Sequence, residues 1–130
     1  MKFKYFILSL LMLSCNIKES DTTFKQDGPL VTQNYKYNFG SVNKKDNPTI
    51  DFSFTVENSS DSTIHIDNTE VSCNCLSVTD TISSIAPHES IILHGFINTK
   101  EQSGDLNKSI FINYNKNQVL LLRVKGTIKE

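Results

Sequence analysis

Ile50-Asp51-Phe52-Ser53-Phe54-Thr55-Val56 sets an apolar side chain at every second position and a polar one between. A strand turns successive side chains to opposite faces, so this run reads as a β-strand with one face inward and the other in water. The reading extends in both directions, with strand signals from Tyr35 onward. Ile64 and Ile66 flank His65, and Leu76 and Val78 form a shorter piece. Residues 91–97 make a stronger run, and Ile110, Phe111, Ile112 and Tyr114 make another. Residues 119–124 are nearly all apolar, the pattern of a strand buried on both sides or pairing centrally. Turn formers separate these runs: Asn43-Lys44-Lys45-Asp46-Asn47-Pro48, Asn58-Ser59-Ser60-Asp61, Ala86-Pro87-His88-Glu89, residues 98–104 and Asn115-Lys116-Asn117. No stretch combines a helical period with caps. Short strands with regularly spaced turns predict an all-β sandwich.

The N-terminus follows a different rule. Lys2 and Lys4 precede the apolar run Tyr5-Phe6-Ile7-Leu8-Ser9-Leu10-Leu11-Met12-Leu13, which ends in Ser14-Cys15. A basic start, a short apolar run and a small residue before the processing point describe a secretory signal over residues 1–14. The run is well short of the ~20 residues a spanning helix needs. Leu13-Ser14-Cys15 resembles the end of a bacterial lipoprotein signal, which implies cleavage before Cys15 and lipidation on it. Several acyl chains at one terminus hold a protein durably where one does not. Residues 15–29 then form a polar tether, and about fifteen flexible residues reach on the order of 20 Å. The folded domain is expected over residues 30–130. The chain is therefore expected in the bacterial cell envelope, lipid-anchored at the outer membrane on its periplasmic or surface face.

The 130 residues suit one domain with a modest core: 38% are hydrophobic, Trp is absent, and eight Phe and four Tyr supply the bulk. Of 13 basic and 14 acidic residues, Lys2 and Lys4 fall in the signal, and without them the net charge moves from −1 to −3. Nucleic-acid binding needs a basic patch and is not expected.

Several short motifs recur in a fixed order. Phe39-Gly40 comes first, then Phe52-Ser53-Phe54 ending at Asn58. Ile64 and Ile66 lead to Ser72-Cys73-Asn74-Cys75, followed by Ile85, Pro87, His88 and Glu89. Residues 104–110 and Val124-Lys125-Gly126-Thr127-Ile128 close the series. Together they resemble the bacterial domain of unknown function 1573, an immunoglobulin-like family common in secreted lipoproteins, over residues 35–128. The resemblance implies an immunoglobulin-like β-sandwich, here without the Cys…Trp…Cys core of antibody domains, and it implies no activity. That family usually carries Gly where this chain has Asn74 and His88. Both positions are expected at positive φ, which Asn and His tolerate better than most residues.

Cys73 and Cys75 are where chemistry could reside. With Cys15 lipidated, they remain as a pair among three cysteines. A disulfide is favoured in an oxidising compartment. Residues two apart in an extended strand sit near the upper limit of Cα separation for that bond, so the chain must bend at Asn74. So small a loop is worth only about 1.6 kcal/mol by chain entropy. A labile bond of this kind also suits thiol–disulfide exchange, which needs an exposed thiol of lowered pKa. Two thiolates suit copper(I), or part of a zinc site that would draw His65 from a neighbouring strand.

Elsewhere the chemistry is sparse. His65 should face water, His88 lies in a turn and His94 in a strand, with no carboxylate partner evident for either of the last two. Gly-x-Ser-x-Gly, His-Glu-x-x-His and phosphate-binding loops are missing, so catalysis is not expected, nor is a cofactor or a small-molecule substrate. Asp21-Thr22-Thr23, Asp61-Ser62-Thr63 and Asp80-Thr81-Ile82 resemble an O-glycosylation motif that some bacteria use on exported proteins. The expected function is a non-catalytic envelope module that binds another protein by strand addition to a free sheet edge. The alternative is a thiol-redox or copper-handling protein acting through Cys73 and Cys75.

Overall fold

A computed structural model of the chain describes residues 28–130. The signal segment, Cys15 and most of the tether lie outside the described residues. Nine strands follow in order: β1 (Leu30–Val31), β2 (Lys36–Asn43), β3 (Thr49–Asn58), β4 (Ile64–Val71), β5 (Leu76–Val78), β6 (Ser84–Ile85), β7 (Ser90–Asn98), β8 (Gly104–Tyr114) and β9 (Gln118–Lys129). They form a four-stranded sheet, β1-β3-β7-β5, and a five-stranded sheet, β2-β9-β8-β4-β6. Their inner faces pack as a sandwich.

The alternation of β3 sets the inner face of the first sheet. Phe52, Phe54 and Val56 are buried while Asp51, Ser53, Thr55 and Glu57 are exposed. Opposite them stand Ile110, Ile112 and Tyr114 of β8 and Leu120, Leu122 and Val124 of β9, all buried. The run 119–124 settles on one of its two expected forms: β9 pairs centrally between β2 and β8. It is not covered on both faces, since Val119 is 51% exposed.

Two strands carry no signal in the sequence reading, β1 and β6, each of two residues. Leu30 of β1 is fully buried and pairs with Asn58, which begins the first sheet five residues before the Tyr35 boundary. The chain then changes sheets, and β2 runs parallel to β9. Gly40, at φ 72°, makes a bulge between Asn38 and Ser41, and its N–H bonds Asn38 Oδ1 at 2.9 Å. Positive φ is what reserves such a bulge for glycine.

Between β4 and β7 the chain passes from sheet to sheet three times, since β4 and β6 belong to one and β5 and β7 to the other. The first crossing spans residues 72–75 and contains both cysteines.

The disulfide corner and the open edge beside it

Each end of the crossing is fastened by backbone groups. Ser72 N–H donates to Ser109 O at 3.0 Å, and Ser109 N–H donates to Ser72 Oγ at 2.8 Å, holding the end of β4 on β8. Leu76 N–H donates to Cys73 O at 3.1 Å, closing a four-residue turn, and Asn98 N–H donates to Cys75 O at 2.7 Å, docking the exit on β7. Within the turn Cys73 and Cys75 are joined as a disulfide with a Cα separation of 5.1 Å. The bend brings the two Cα atoms inside the range that the bond needs.

Asn74 departs from the sequence expectation, because it is absent from the positive-φ residues. A turn with negative φ at both central positions has type I character and asks nothing special of its residues. His88 meets the expectation, at φ 57°. Its turn is closed by Glu89 N–H to Ala86 O at 3.1 Å, with Pro87 first and His88 second of the central pair, the type II pattern.

The two sulfurs have unequal surroundings. Cys75 is 8% exposed and belongs to the core, whereas Cys73 is half-buried and packs against it. Cys75 N–H points at Cys73 Sγ from 3.0 Å. His65 does not join them. It is exposed on β4 and eight residues from Cys73, about 25 Å away along an extended chain. Among the described residues no three His, Cys, Asp or Glu side chains form a metal-holding group.

The other two histidines have partners that the sequence did not reveal. His94 Nδ1 lies 2.9 Å from Asp80 Oδ2, and His88 Nε2 lies 2.7 Å from Asp61 Oδ1. The His94 backbone N–H also donates to Asp80 Oδ2 at 2.5 Å; that bond first, then the ring, holds the Asp80 carboxyl below its ordinary value. The pairs are 14 and 27 residues apart: Asp80, in the β5–β6 crossing, meets His94 on β7, and Asp61, in the β3–β4 turn, meets His88 in the β6–β7 turn.

Beside the corner the five-stranded sheet is unfinished. Strand β6 pairs only with Ile64 and His65, so from Asp67 to Val71 the outer side of β4 has no strand neighbour among the described residues. Thr69 and Val71 stand opposite Ile112 and Ile110 in the ladder and so share their inward face. Ile110 is sealed, yet Val71 is 37% exposed, because the short β5 leaves this flank of the sandwich open. The opposite edge, β2, is broken by its bulge and carries Lys36, two features that discourage pairing.

Solved structures share this architecture. A protein of unknown function from Porphyromonas gingivalis W83 superimposes with a TM-score of 0.65 at 15% identity, over 77% of this chain and 46% of that one. The VesB protease of Vibrio cholerae gives 0.58 at 15% identity, over 77% and 32%. The seventh PapD-like (ASH) domain of human CEP192 gives 0.55 at 12% identity, over 78% and 86%. This chain therefore spans less than half the length of the first two, and identities this low establish the immunoglobulin-like fold alone. No curated protein is similar in sequence. The family described as protein of unknown function (DUF1573) matches residues 30–128, nearly all of the described chain, and the chain belongs to that family.

Proposed function

We propose that this chain is a non-catalytic, lipid-anchored module of the bacterial envelope that holds another protein by adding an extended segment of it to the open edge of β4. The observation that carries the reading is the run from Asp67 to Val71, which among the described residues has a strand on one side only. A strand with one side unpaired offers backbone donors and acceptors to any extended chain, and alternate side chains set the choice of partner. Asp67 and Glu70 favour a segment with cationic groups, and Thr69 and Val71 offer an apolar flank. Secretion and anchoring through Cys15 would keep the domain at the membrane.

The test is photo-crosslinking in the native bacterium. A crosslinker at Thr69 is expected to capture a defined protein, and one at Lys125, on β9 with β2 on one side and β8 on the other, is not. Capture from both positions alike, or from neither, would remove the strand-addition reading. Fractionation of a Cys15→Ser variant checks the anchor, since loss from the membrane fraction is expected.

A second reading is supported by the unequal sulfurs. Reduction would leave Cys73 as the more accessible thiol. Such a pair suits disulfide exchange or copper(I). Alkylation of the protein taken directly from the envelope separates the readings: exchange or copper handling requires a population with free or metal-held thiols.

A further inference from the structure

Asp61-Ser62 and Asp80-Thr81 occupy different crossings of the sandwich, yet they are presented alike. In each, the carboxylate is held by a histidine from another segment, Asp61 by His88 at 2.7 Å and Asp80 by His94 at 2.9 Å. In each, the following residue is exposed, and its hydroxyl takes part in none of the side-chain hydrogen bonds of the described residues. Both loops are pinned beside that hydroxyl. Ser62 O accepts from buried Asn58 Nδ2 at 2.7 Å, and Ile82, next to Thr81, packs against the core. The outcome is two loops, each offering a free hydroxyl next to a carboxylate paired with a histidine. Neither pair serves the core, the disulfide or the open edge of β4.

We infer that Ser62 and Thr81 are attachment sites for O-linked glycans, with Asp61 and Asp80 as part of what the modifying enzyme reads. The inference rests on the proposed export, which brings the chain to glycosyltransferases that work outside the cytoplasm. The donor is a glycan carried on a lipid diphosphate. The Ser62 or Thr81 oxygen attacks the anomeric carbon, forming a new carbon–oxygen bond. The bond from that carbon to the diphosphate oxygen breaks, the lipid diphosphate leaves, and the hydroxyl proton passes to a base of the transferase. A hydroxyl buried in a ladder could not reach the transferase to make that attack.

The experiment is intact-mass and peptide mass spectrometry of the full chain, tagged at its C-terminus and purified from the envelope of its native bacterium. The mature chain is expected to exceed its sequence mass by whole glycan units, with Ser62 and Thr81 among the modified residues. Ser62→Ala and Thr81→Ala should each remove one unit. Asp61→Asn and Asp80→Asn should remove the same units although the hydroxyls remain, which a merely exposed hydroxyl would not predict. A mature envelope protein at unmodified mass, or glycans retained in the Asp variants, overturns the inference while leaving export intact. A chain that keeps residues 1–14 in the cytoplasm overturns both.

Discussion

Replacing Asn58 by alanine should cost the domain about 4 kcal/mol, from interactions that can be counted. The residue closes β3 and is fully buried. Its Nδ2 donates to Ser62 O at 2.7 Å, Ile85 O at 3.0 Å and Ala86 O at 3.2 Å, two protons shared among three carbonyls. Its Oδ1 accepts from Ser60 N–H at 2.9 Å and Ser60 Oγ at 2.7 Å. One side chain thus ties the β3–β4 turn to the β6–β7 turn. Two donated and two accepted bonds at about 1 kcal/mol each give the figure, and the stranded Ile85 carbonyl pushes it upward. For a domain of this size that is roughly 15–30 °C in melting temperature. Asn58→Asp is the sharper variant, because it keeps the shape and Oδ1 but aims an anion at three carbonyl oxygens. Those oxygens raise its folded-state pKa above the unfolded value. Its stability is therefore highest below the unfolded value of about 4 and falls as pH rises through the folded value. Urea unfolding followed by far-ultraviolet circular dichroism measures both variants. An alanine variant within about 1 kcal/mol of the parent, or an aspartate variant whose stability tracks the parent across pH, would show that the pin does not bear this load.

Reducing the Cys73–Cys75 disulfide should lower stability by no more than about 1.6 kcal/mol, and the denaturation midpoint with and without reductant checks it; unfolding on reduction would refute it. Gly95→Ala should destabilise by about 1–3 kcal/mol, because its Cβ would sit 2.4 Å from both the Ser77 carbonyl oxygen and Phe52 Cζ. One of these atoms is backbone, so β5 must move, and amide exchange at Thr79, whose N–H donates to His94 O, should quicken. Asp80→Asn should lose a contribution that operates at neutral pH: a carboxylate whose folded pKa is depressed stabilises above its ordinary value of 3.8, and the effect fades as pH falls through the lower folded value. The gap between parent and variant in pH-dependent unfolding should accordingly close in acid.

The long strands were legible because each keeps one period for many residues. Phe52, Phe54 and Val56, or Ile110, Ile112 and Tyr114, state which face is inward before any partner is known. Strands β1 and β6 were not legible, since two residues hold no period and Leu30 or Ile85 alone reads as any apolar residue in a loop. The parallel pairing of β2 with β9 was equally hidden. It depends on the chain changing sheets between Val31 and Lys36, and the bonds that secure the change come from distant groups: Thr32 Oγ1 to Thr55 O at 2.8 Å and Arg123 N–H to Tyr35 O at 2.7 Å.

At the candidate site the cysteines announced themselves by spacing, and the need for a bend followed from reach. What sort of bend did not follow. Gly tendencies at positions 74 and 88 gave one expectation for both, yet only His88 sits at positive φ, because Pro87 before it sets up a type II turn and nothing comparable precedes Asn74. The open edge is the deeper case. Every strand has the same backbone donors and acceptors, so residues 67–71 carry no mark of being unpaired. Among the described residues they are free because β6, later in the chain, ends after two pairs with β4, and because β5 across the sandwich is only three residues long. A binding surface made of backbone is therefore defined by where neighbouring strands stop. That is a property of lengths and registers over the whole fold, and it is why the partner must be sought by crosslinking at Thr69 and not by motif.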